Sequence, residues 1–154
     1  MSRVQLALRV SDLEGSIAFY SKLFGAEPAK RRPGYANFAI AQPPLKLVLI
    51  EGEGDAPTAL DHLGVEVETT AEVDAATARL DQLGVFTQVE DDTTCCYARQ
   101  DKVWVHGPGN EPWEVYTVKE DSLEYGTDGV VGRAMGSDAT ADDRAACCGG
   151  TQVR

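Results

Sequence analysis

The chain has 154 residues and a net charge of −11 at pH 7, and 43% of its residues are hydrophobic. This length suits a single domain with a sizeable core. The negative charge disfavours binding to nucleic acid or to anionic membranes. The longest apolar runs, such as residues 47–50, are far too short to span a bilayer, and the N-terminus lacks the apolar stretch of a signal peptide. We therefore expect a cytoplasmic protein.

The first half of the chain predicts a strand, a helix and three more strands. Alternating apolar residues over positions 4–10 indicate the first strand. Ser11 or Asp12 is a suitable cap for the helix that follows, and Gly25 is a suitable residue to end it. Three short strands are then expected, near residues 27–31, 35–41 and 45–51.

The second half repeats this order after a linker, residues 52–60, that is rich in Gly, Asp and Pro. Alternation over residues 62–68 predicts a strand, and residues 70–83 have the spacing of a helix that ends at Gly84. Further strands are expected near residues 86–90, 95–100, 102–105 and 113–118.

These elements predict an α+β domain over residues 1–120, built from two βαβββ modules at about 3–51 and 61–118. Each helix covers one face of its small sheet, so the open faces can pair into a half-barrel around a site. Residues 121–154 are small, polar and acidic, which predicts a flexible tail because they offer little to bury.

Gln5, His62 and Glu114 are the candidate metal ligands. Gln5 and His62 occupy matching places near the start of the first strand of each module, and Glu114 lies near the start of the last strand. In the paired fold we expect them to converge at one end of the cavity. An imidazole, a carboxylate and an amide oxygen leave open positions on Fe(II) or Mn(II), as in the 2-His-1-carboxylate sites of non-haem iron.

Simpler interpretations of these residues remain open. A histidine at a strand start is often only a hydrogen-bonded structural residue, and Glu114 also fits a solvated position in its strand. His106 lies in the Gly- and Pro-rich segment 105–110, which predicts a tight turn. The three residues are grouped as candidate metal ligands only because of their positions in the register of the repeat.

The four cysteines form two adjacent pairs, Cys95-Cys96 and Cys147-Cys148. Neighbouring thiols suit a soft centre with two exchangeable ligands, such as trivalent arsenic or a soft metal ion. Adjacent cysteines rarely bond to each other, because disulfide geometry is hard to satisfy across one peptide unit. Free thiols in a reducing compartment are therefore expected, although a cysteine in a strand can also be a small buried apolar residue.

Three segments resemble the vicinal oxygen chelate superfamily, which includes glyoxalases, bleomycin-resistance proteins and extradiol dioxygenases. Segment 11–25 resembles its first helix, segment 61–65 its central histidine strand, and segment 107–116 its closing turn and glutamate strand. The resemblance covers about residues 3–118. It is specific for the superfamily and says little about function within it.

A narrower resemblance is to the organoarsenical carbon–arsenic bond lyases, a subgroup that includes cadmium-induced proteins. It rests on Gln5 in the first ligand position and on segments 94–97 and 101–105. It implies an Fe(II)-dependent enzyme that uses dioxygen to remove the organic group from a trivalent organoarsenical and leaves arsenite. Iron would be held by Gln5, His62 and Glu114, and arsenic by Cys95 and Cys96.

Aromatic side chains are expected to wall the cavity and contact the organic group on arsenic, namely those of Phe38, Tyr97 and Tyr116. Lys46 falls near the place in the first module that corresponds to Glu114. A site with a second acidic ligand is therefore not expected. Cys147-Cys148 could act as a mobile relay that collects the arsenical.

Two other functions fit the same residues. A thiol-based protein that sequesters arsenic or cadmium would need the cysteines but not the metal triad. A metal-dependent dioxygenase or isomerase acting on a carbon substrate would need the triad but not the cysteines. Two modules in one chain make a monomer sufficient for one site, and a homodimer is also compatible with the sequence.

Overall fold

The computed structural model describes residues 2–126. Most of the expected tail, including Cys147 and Cys148, lies outside these residues. Within the described chain no helix is long and apolar enough to cross a membrane.

Each half of the chain forms one strand, one helix and three further strands. The first module consists of β1 (Arg3–Val10), α1 (Leu13–Phe24), β2 (Lys30–Arg32), β3 (Tyr35–Ile40) and β4 (Leu45–Glu51). The second consists of β5 (Ala59–Glu66), α2 (Thr70–Gln82), β6 (Gln88–Cys95), β7 (Ala98–His106) and β8 (Pro112–Asp121). The predicted pair of βαβββ modules is confirmed.

All eight strands join one mixed sheet in the order β2-β3-β4-β1-β5-β8-β7-β6. The modules meet where β1 and β5 run antiparallel, with Gln5 opposite Gly64 and Ala7 opposite His62. The sheet curves into the expected half-barrel, and the first strand of each module lies at its centre. This junction brings the strands that carry Gln5 and His62 side by side.

The helices begin where the sequence offers caps. The Asp12 side chain accepts a hydrogen bond from the Gly15 amide at 2.8 Å. Thr69 and Glu72 form a capping box at the start of α2, in which each side chain satisfies a backbone amide of the other residue. Gly25 ends α1 with φ of 61°, a conformation that glycine adopts without the strain a side chain would add.

Buried apolar side chains form two separate clusters, one on each face of the sheet. The outer cluster joins α1 to the first module through residues that include Leu13, Ile17, Phe38 and Leu49. The inner cluster consists of Ala7, Tyr35, Val48, Ile50, Cys95, Tyr97 and Trp104. Phe38 therefore packs under α1, and its predicted place in the cavity wall is wrong.

The second module departs from the predicted strand boundaries near Asp101. Two strands were expected there, but β7 runs unbroken from Ala98 to His106. The polar residues that suggested a break are buried and paired. Asp101 is 3% exposed and accepts hydrogen bonds from the Thr70 hydroxyl and from Lys119. Because polar side chains here have partners on other elements, they can lie buried within an unbroken strand.

Candidate metal centre

The side chains of Gln5, His62 and Glu114 meet at the junction of the modules. They come from β1, β5 and β8, and each is at most 4% exposed. Gln5 Nε2 donates to Glu114 Oε1 at 2.7 Å and lies 2.9 Å from His62 Nε2. His62 Nε2 lies 3.4 Å from Glu114 Oε1. The structure therefore brings together all three residues that the sequence marked as candidate ligands.

The His62 ring is fixed from its far side by Asp61. Nδ1 lies 2.6 Å from Asp61 Oδ1, while Asp61 Oδ2 pairs with Arg9 Nε at 2.6 Å. Burial alone would lower the pKa of His62, but the bonds to Asp61 and Glu114 outweigh it and raise the pKa to about 8. A carboxylate behind an imidazole is the usual means of aiming Nε2 at a metal.

Glu114 is ionised although it is buried. Burial would raise its pKa, but the charge of Lys102, whose Nζ donates to Glu114 Oε2 at 2.9 Å, and the bond to His62 lower it to about 2. Lys102 is itself 0% exposed. One carboxylate oxygen is thus held by the lysine, and the other faces Gln5 and His62.

Gly64 leaves the space in which Gln5 and Glu114 approach each other. A Cβ at this position would lie 3.1 Å from Glu114 Cγ, 3.2 Å from Gln5 Cβ and 3.3 Å from Gln5 Nε2. These distances are shorter than ordinary van der Waals contact, so a side chain here would push the two apart. Glycine on the central strand is thus part of the site.

The donor set fits a divalent ion. Among the described residues no group of three His, Cys, Asp or Glu side chains could hold a metal, so the set reaches three only when the Gln5 amide is included. His62 Nε2 and Glu114 Oε1 lie 2.9 Å and 2.7 Å from Gln5 Nε2, so the three side chains face one point. One nitrogen and two oxygens of this kind suit Fe(II) or Mn(II).

A cavity of about 210 Å³ opens beside these residues. The two modules line it together, because Tyr35, Asn37 and Val48 come from the first module and Ala98 and Gln100 from the second. The charged residues that line it are His62, Glu114, Arg3, Lys30, Lys46, Glu66 and Asp121. Cys96 lines the same cavity, so a cysteine and the metal-ligand candidates share one space.

Cys95 and Cys96 lie at the tight turn between β6 and β7. Cys95 pairs with Ala98, and the two residues between them, Cys96 and Tyr97, have φ of 52° and 62°. This is the two-residue hairpin geometry that Asn-Gly usually provides, and neither residue adopts it without strain. The turn places Cys95 in the inner cluster at 1% exposure and leaves Cys96 partly exposed at the cavity.

The oxidation state of this pair differs from the expectation of free thiols. Neither cysteine of residues 2–126 is a free thiol, and both are in the disulfide-bonded state. Their Sγ atoms are 3.2 Å apart, well beyond the ~2.05 Å of a bond between them.

The two tyrosines expected to contact substrate lie in different places. Tyr97 packs against Tyr35 with ring centroids 5.7 Å apart and against Tyr125 at 5.2 Å. Tyr116 is 1% exposed, and its hydroxyl contacts Gln5 Oε1 at 2.6 Å. The contact with Tyr125 also shows that packing continues past residue 120.

Several residues of the site were not singled out from the sequence. Asp61 could have been found as the acid that precedes the histidine. Glu66, Lys102 and Tyr35 gave no local signal, because their partners lie on other strands.

Lys46 was noted from the register, and it lies opposite Gln5 in the β1–β4 pairing and lines the cavity. The exposed His106 is the last residue of β7 and pairs with Pro112 beside the predicted turn.

Known proteins resemble this chain over most of its length. It is 64% identical over 147 residues to a trivalent organoarsenical cleaving enzyme of Thermomonospora curvata, covering 96% of this chain and 89% of that protein. It is 57% identical over 150 residues to cadmium-induced protein CadI of Mycobacterium bovis, covering 97% of this chain and 95% of that protein.

The fold is also shared with a solved structure, the Mn(II)-bound glyoxalase of Novosphingobium aromaticivorans. The TM-score is 0.57 at 19% identity, and the match covers 80% of this chain and 42% of that one. A model of the Glyoxalase/Bleomycin resistance protein/Dioxygenase superfamily matches residues 3–115. The chain belongs to this superfamily.

Proposed function

We propose that the protein is a non-haem Fe(II)-dependent dioxygenase that cleaves the carbon–arsenic bond of trivalent organoarsenicals and yields arsenite. The observation that carries the proposal is the shared cavity, which Gln5, His62, Glu114 and Cys96 line together. The 64% identity to a trivalent organoarsenical cleaving enzyme supports the choice of substrate class.

The cysteine pair accounts for recognition of arsenic. A trivalent organoarsenical has one carbon bond and two exchangeable hydroxyls. Two thiols replace both hydroxyls and release two molecules of water, which leaves the carbon bond as the remaining site of reaction. The sulfurs of Cys95 and Cys96, 3.2 Å apart, are close enough to bind one arsenic atom together once both are reduced. Binding therefore requires a reductant.

The metal-ligand candidates account for the reaction with dioxygen. Fe(II) bound by Gln5, His62 and Glu114 would supply the chemistry that activates dioxygen. Asp61 aims the imidazole and Lys102 holds the far oxygen of the carboxylate, so the three donors keep their directions. The cavity holds the arsenical beside these groups, and such positioning lowers the entropic part of the barrier.

Apolar and aromatic side chains on the inner face of the sheet form a wall against which the organic group on arsenic would lie. Tyr35 and Val48 line the cavity beside Cys96. Trp104 packs edge-on against the His62 ring at 5.6 Å between centroids. We assign contact with a methyl or aromatic substituent to this wall, and Tyr97, which packs on Tyr35, supports it.

Sequestration of a thiophilic ion is a second candidate, and the 57% identity to a cadmium-induced protein favours it. Such a function would use the cysteines alone. It gives no role to the convergence of His62, Glu114 and Gln5, which are buried together at 2.7–3.4 Å. For that reason we place the cleavage reaction first.

The test is arsenite release from a trivalent phenyl arsenical by the reduced full-length protein. Four reactions combine the presence or absence of Fe(II) with the presence or absence of dioxygen. The proposal expects arsenite only when both are present. Tight arsenical binding with no release in any of the four would favour sequestration and overturn the proposal.

A further inference from the structure

The Tyr116 hydroxyl faces two acceptor oxygens, which is one more than its single proton can serve. It lies 2.6 Å from Gln5 Oε1 and 2.8 Å from Glu66 Oε2, and it accepts from Lys46 Nζ at 3.0 Å. A hydroxyl has one proton and two lone pairs. The ammonium of Lys46 uses one lone pair. The proton can therefore serve Gln5 or Glu66, but not both.

Glu66 is the stronger hydrogen-bond acceptor for this proton. Its carboxylate pairs with Arg3 at 2.8 Å and with Lys46 at 3.1 Å, which keeps it ionised and able only to accept. If the proton went to Gln5, two oxygens with no proton between them would face each other at 2.8 Å in a buried place. Donation from Tyr116 to Glu66 removes this repulsion.

Donation to Glu66 leaves the second lone pair of Tyr116 facing the Gln5 amide. A donor is then required at the position of Oε1, and the amide provides one when it turns by half a rotation about its last bond. The nitrogen and oxygen of an amide are nearly the same size, so the turn exchanges their places with little movement. After the turn, Gln5 Oε1 faces His62 and Glu114, and a bound cation takes the place of the hydrogen bond that Gln5 Nε2 gives to Glu114 Oε1 at 2.7 Å.

We propose that Tyr116 and Glu66 are positioning residues that turn the carbonyl oxygen of Gln5 towards the metal. The inference rests on the proposed function, in which Gln5, His62 and Glu114 hold Fe(II). An amide binds a metal through its oxygen, because its nitrogen has no available lone pair. The hydrogen-bonded chain from Glu66 through Tyr116 thus decides whether Gln5 is a ligand or a donor that fills the site.

Two substitutions disturb this chain by different routes. Tyr116→Phe removes the hydroxyl that accepts from the turned amide. Glu66→Gln keeps the shape of the side chain but can donate to Tyr116, which returns the tyrosine proton to Gln5 and turns the amide nitrogen inwards. Loss of such an outer partner typically weakens metal binding by about 10–100-fold, and we expect this range for both variants.

The test is the affinity for Fe(II), measured by anaerobic calorimetric titration of reduced, chelator-treated full-length protein. Each substitution is made in the wild type and in two backgrounds in which the orientation of an amide no longer matters. Gln5→His provides an imidazole, and Gln5→Glu provides two equivalent oxygens. The 10–100-fold loss expected in the wild type should shrink to less than about threefold in both backgrounds.

Equal losses in all backgrounds would show that Tyr116 and Glu66 only support the local structure, and would overturn the inference. Unchanged affinity in the wild-type background would overturn it as well. Failure of the wild type itself to bind Fe(II) would instead defeat the proposed function. Thermal unfolding of each variant in chelator identifies any variant that fails to fold, and the other substitution or background then decides the outcome.

Discussion

In the first module β1 and β4 pair so that Gln5 lies beside Lys46, whereas in the second β5 and β8 pair so that Gly64 lies beside Glu114. The same architecture thus presents an amide and a cation on one side, and a carboxylate with space around it on the other. His62 adds the imidazole from the second module. A repeated fold gives a half-barrel, while the side chains that each module presents decide what the cavity can bind.

The turns between the first two strands that follow each helix differ in the same way. The turn between β2 and β3 consists of Pro33 and Gly34, and only Gly34 has a positive φ, of 69°. The corresponding turn of the second module carries Cys96 and Tyr97, both at positive φ. The second module therefore supplies the cysteines and two of the three candidate ligands, and the first supplies Gln5 and much of the wall.

The largest expected effect comes from substitutions that separate the role of the cysteines from that of the candidate metal ligands. His62→Ala should abolish Fe(II) binding and arsenite release while arsenical binding by the cysteines persists. Cys96→Ser should abolish arsenical binding and release while Fe(II) binding persists. Anaerobic titrations with Fe(II) and with a phenyl arsenical measure both properties in each variant. Loss of both kinds of binding in either variant, with the fold intact, would contradict the division of roles.

Much of the fold of both modules was predictable, because both repeat strong local sequence patterns. Alternation and caps predicted the helices, and β1, β3 and β4 lie within one residue of their expected positions. The position of β2 was less accurate, since Lys30–Arg32 is short and mostly exposed. The unbroken β7 was missed because Asp101 and Lys102 are polar, and only their partners on other elements explain their burial.

The candidate site was predictable only in part. The repeat register pointed to Gln5, His62 and Glu114, whose convergence the structure shows. The strained turn at Cys96 could not be anticipated, since Cys-Tyr is not a turn sequence. The donor chain from Glu66 to Gln5 was also invisible, because it joins strands from both modules.

The pH dependence of metal binding should reveal the contribution of His62. Its pKa is raised to about 8, so below that pH a proton occupies the ring and competes with the metal. The apparent affinity for Fe(II) should therefore fall by about tenfold per pH unit well below pH 8, or about 50-fold between pH 8 and pH 6. Anaerobic titration across this range measures it.

The matched control for this profile is His106→Gln, which removes the exposed second histidine and should leave the profile unchanged. A flat profile for the wild type would show that His62 does not have to lose a proton when the metal binds. Its role as a ligand would then have no support from the titration.

Gly64→Ala should have a moderate effect on the same property. The added Cβ meets Glu114 and Gln5 at 3.1–3.3 Å, so both must shift by a few tenths of an ångström. Metal sites tolerate about 0.2 Å in ligand distances, and we expect roughly tenfold weaker Fe(II) binding. Gly52→Ala is the control, because its Cβ would make ordinary contacts at 3.7 and 3.8 Å. Equal affinity in the two variants would remove the role assigned to Gly64.

The smallest effect is expected at the helix cap of the second module. Thr69→Ala removes the side chain that caps α2 and should lower the free energy of unfolding by about 1 kcal/mol. Thr69→Ser keeps a hydroxyl and should retain most of this stability. Urea unfolding measures both, and Fe(II) affinity should not change. A loss of metal affinity in Thr69→Ala would show that α2 does more than support the sheet.

The most direct test of the central claim, that iron and arsenic meet in one cavity, is a crystal structure of the reduced protein with Fe(II) and a phenyl arsenical, prepared without dioxygen. We expect the iron on Gln5, His62 and Glu114, and the arsenic on the sulfurs of Cys95 and Cys96, with its carbon bond facing the iron. Arsenic bound on the cysteines but directed away from the metal, or iron bound at other residues, would contradict the claim.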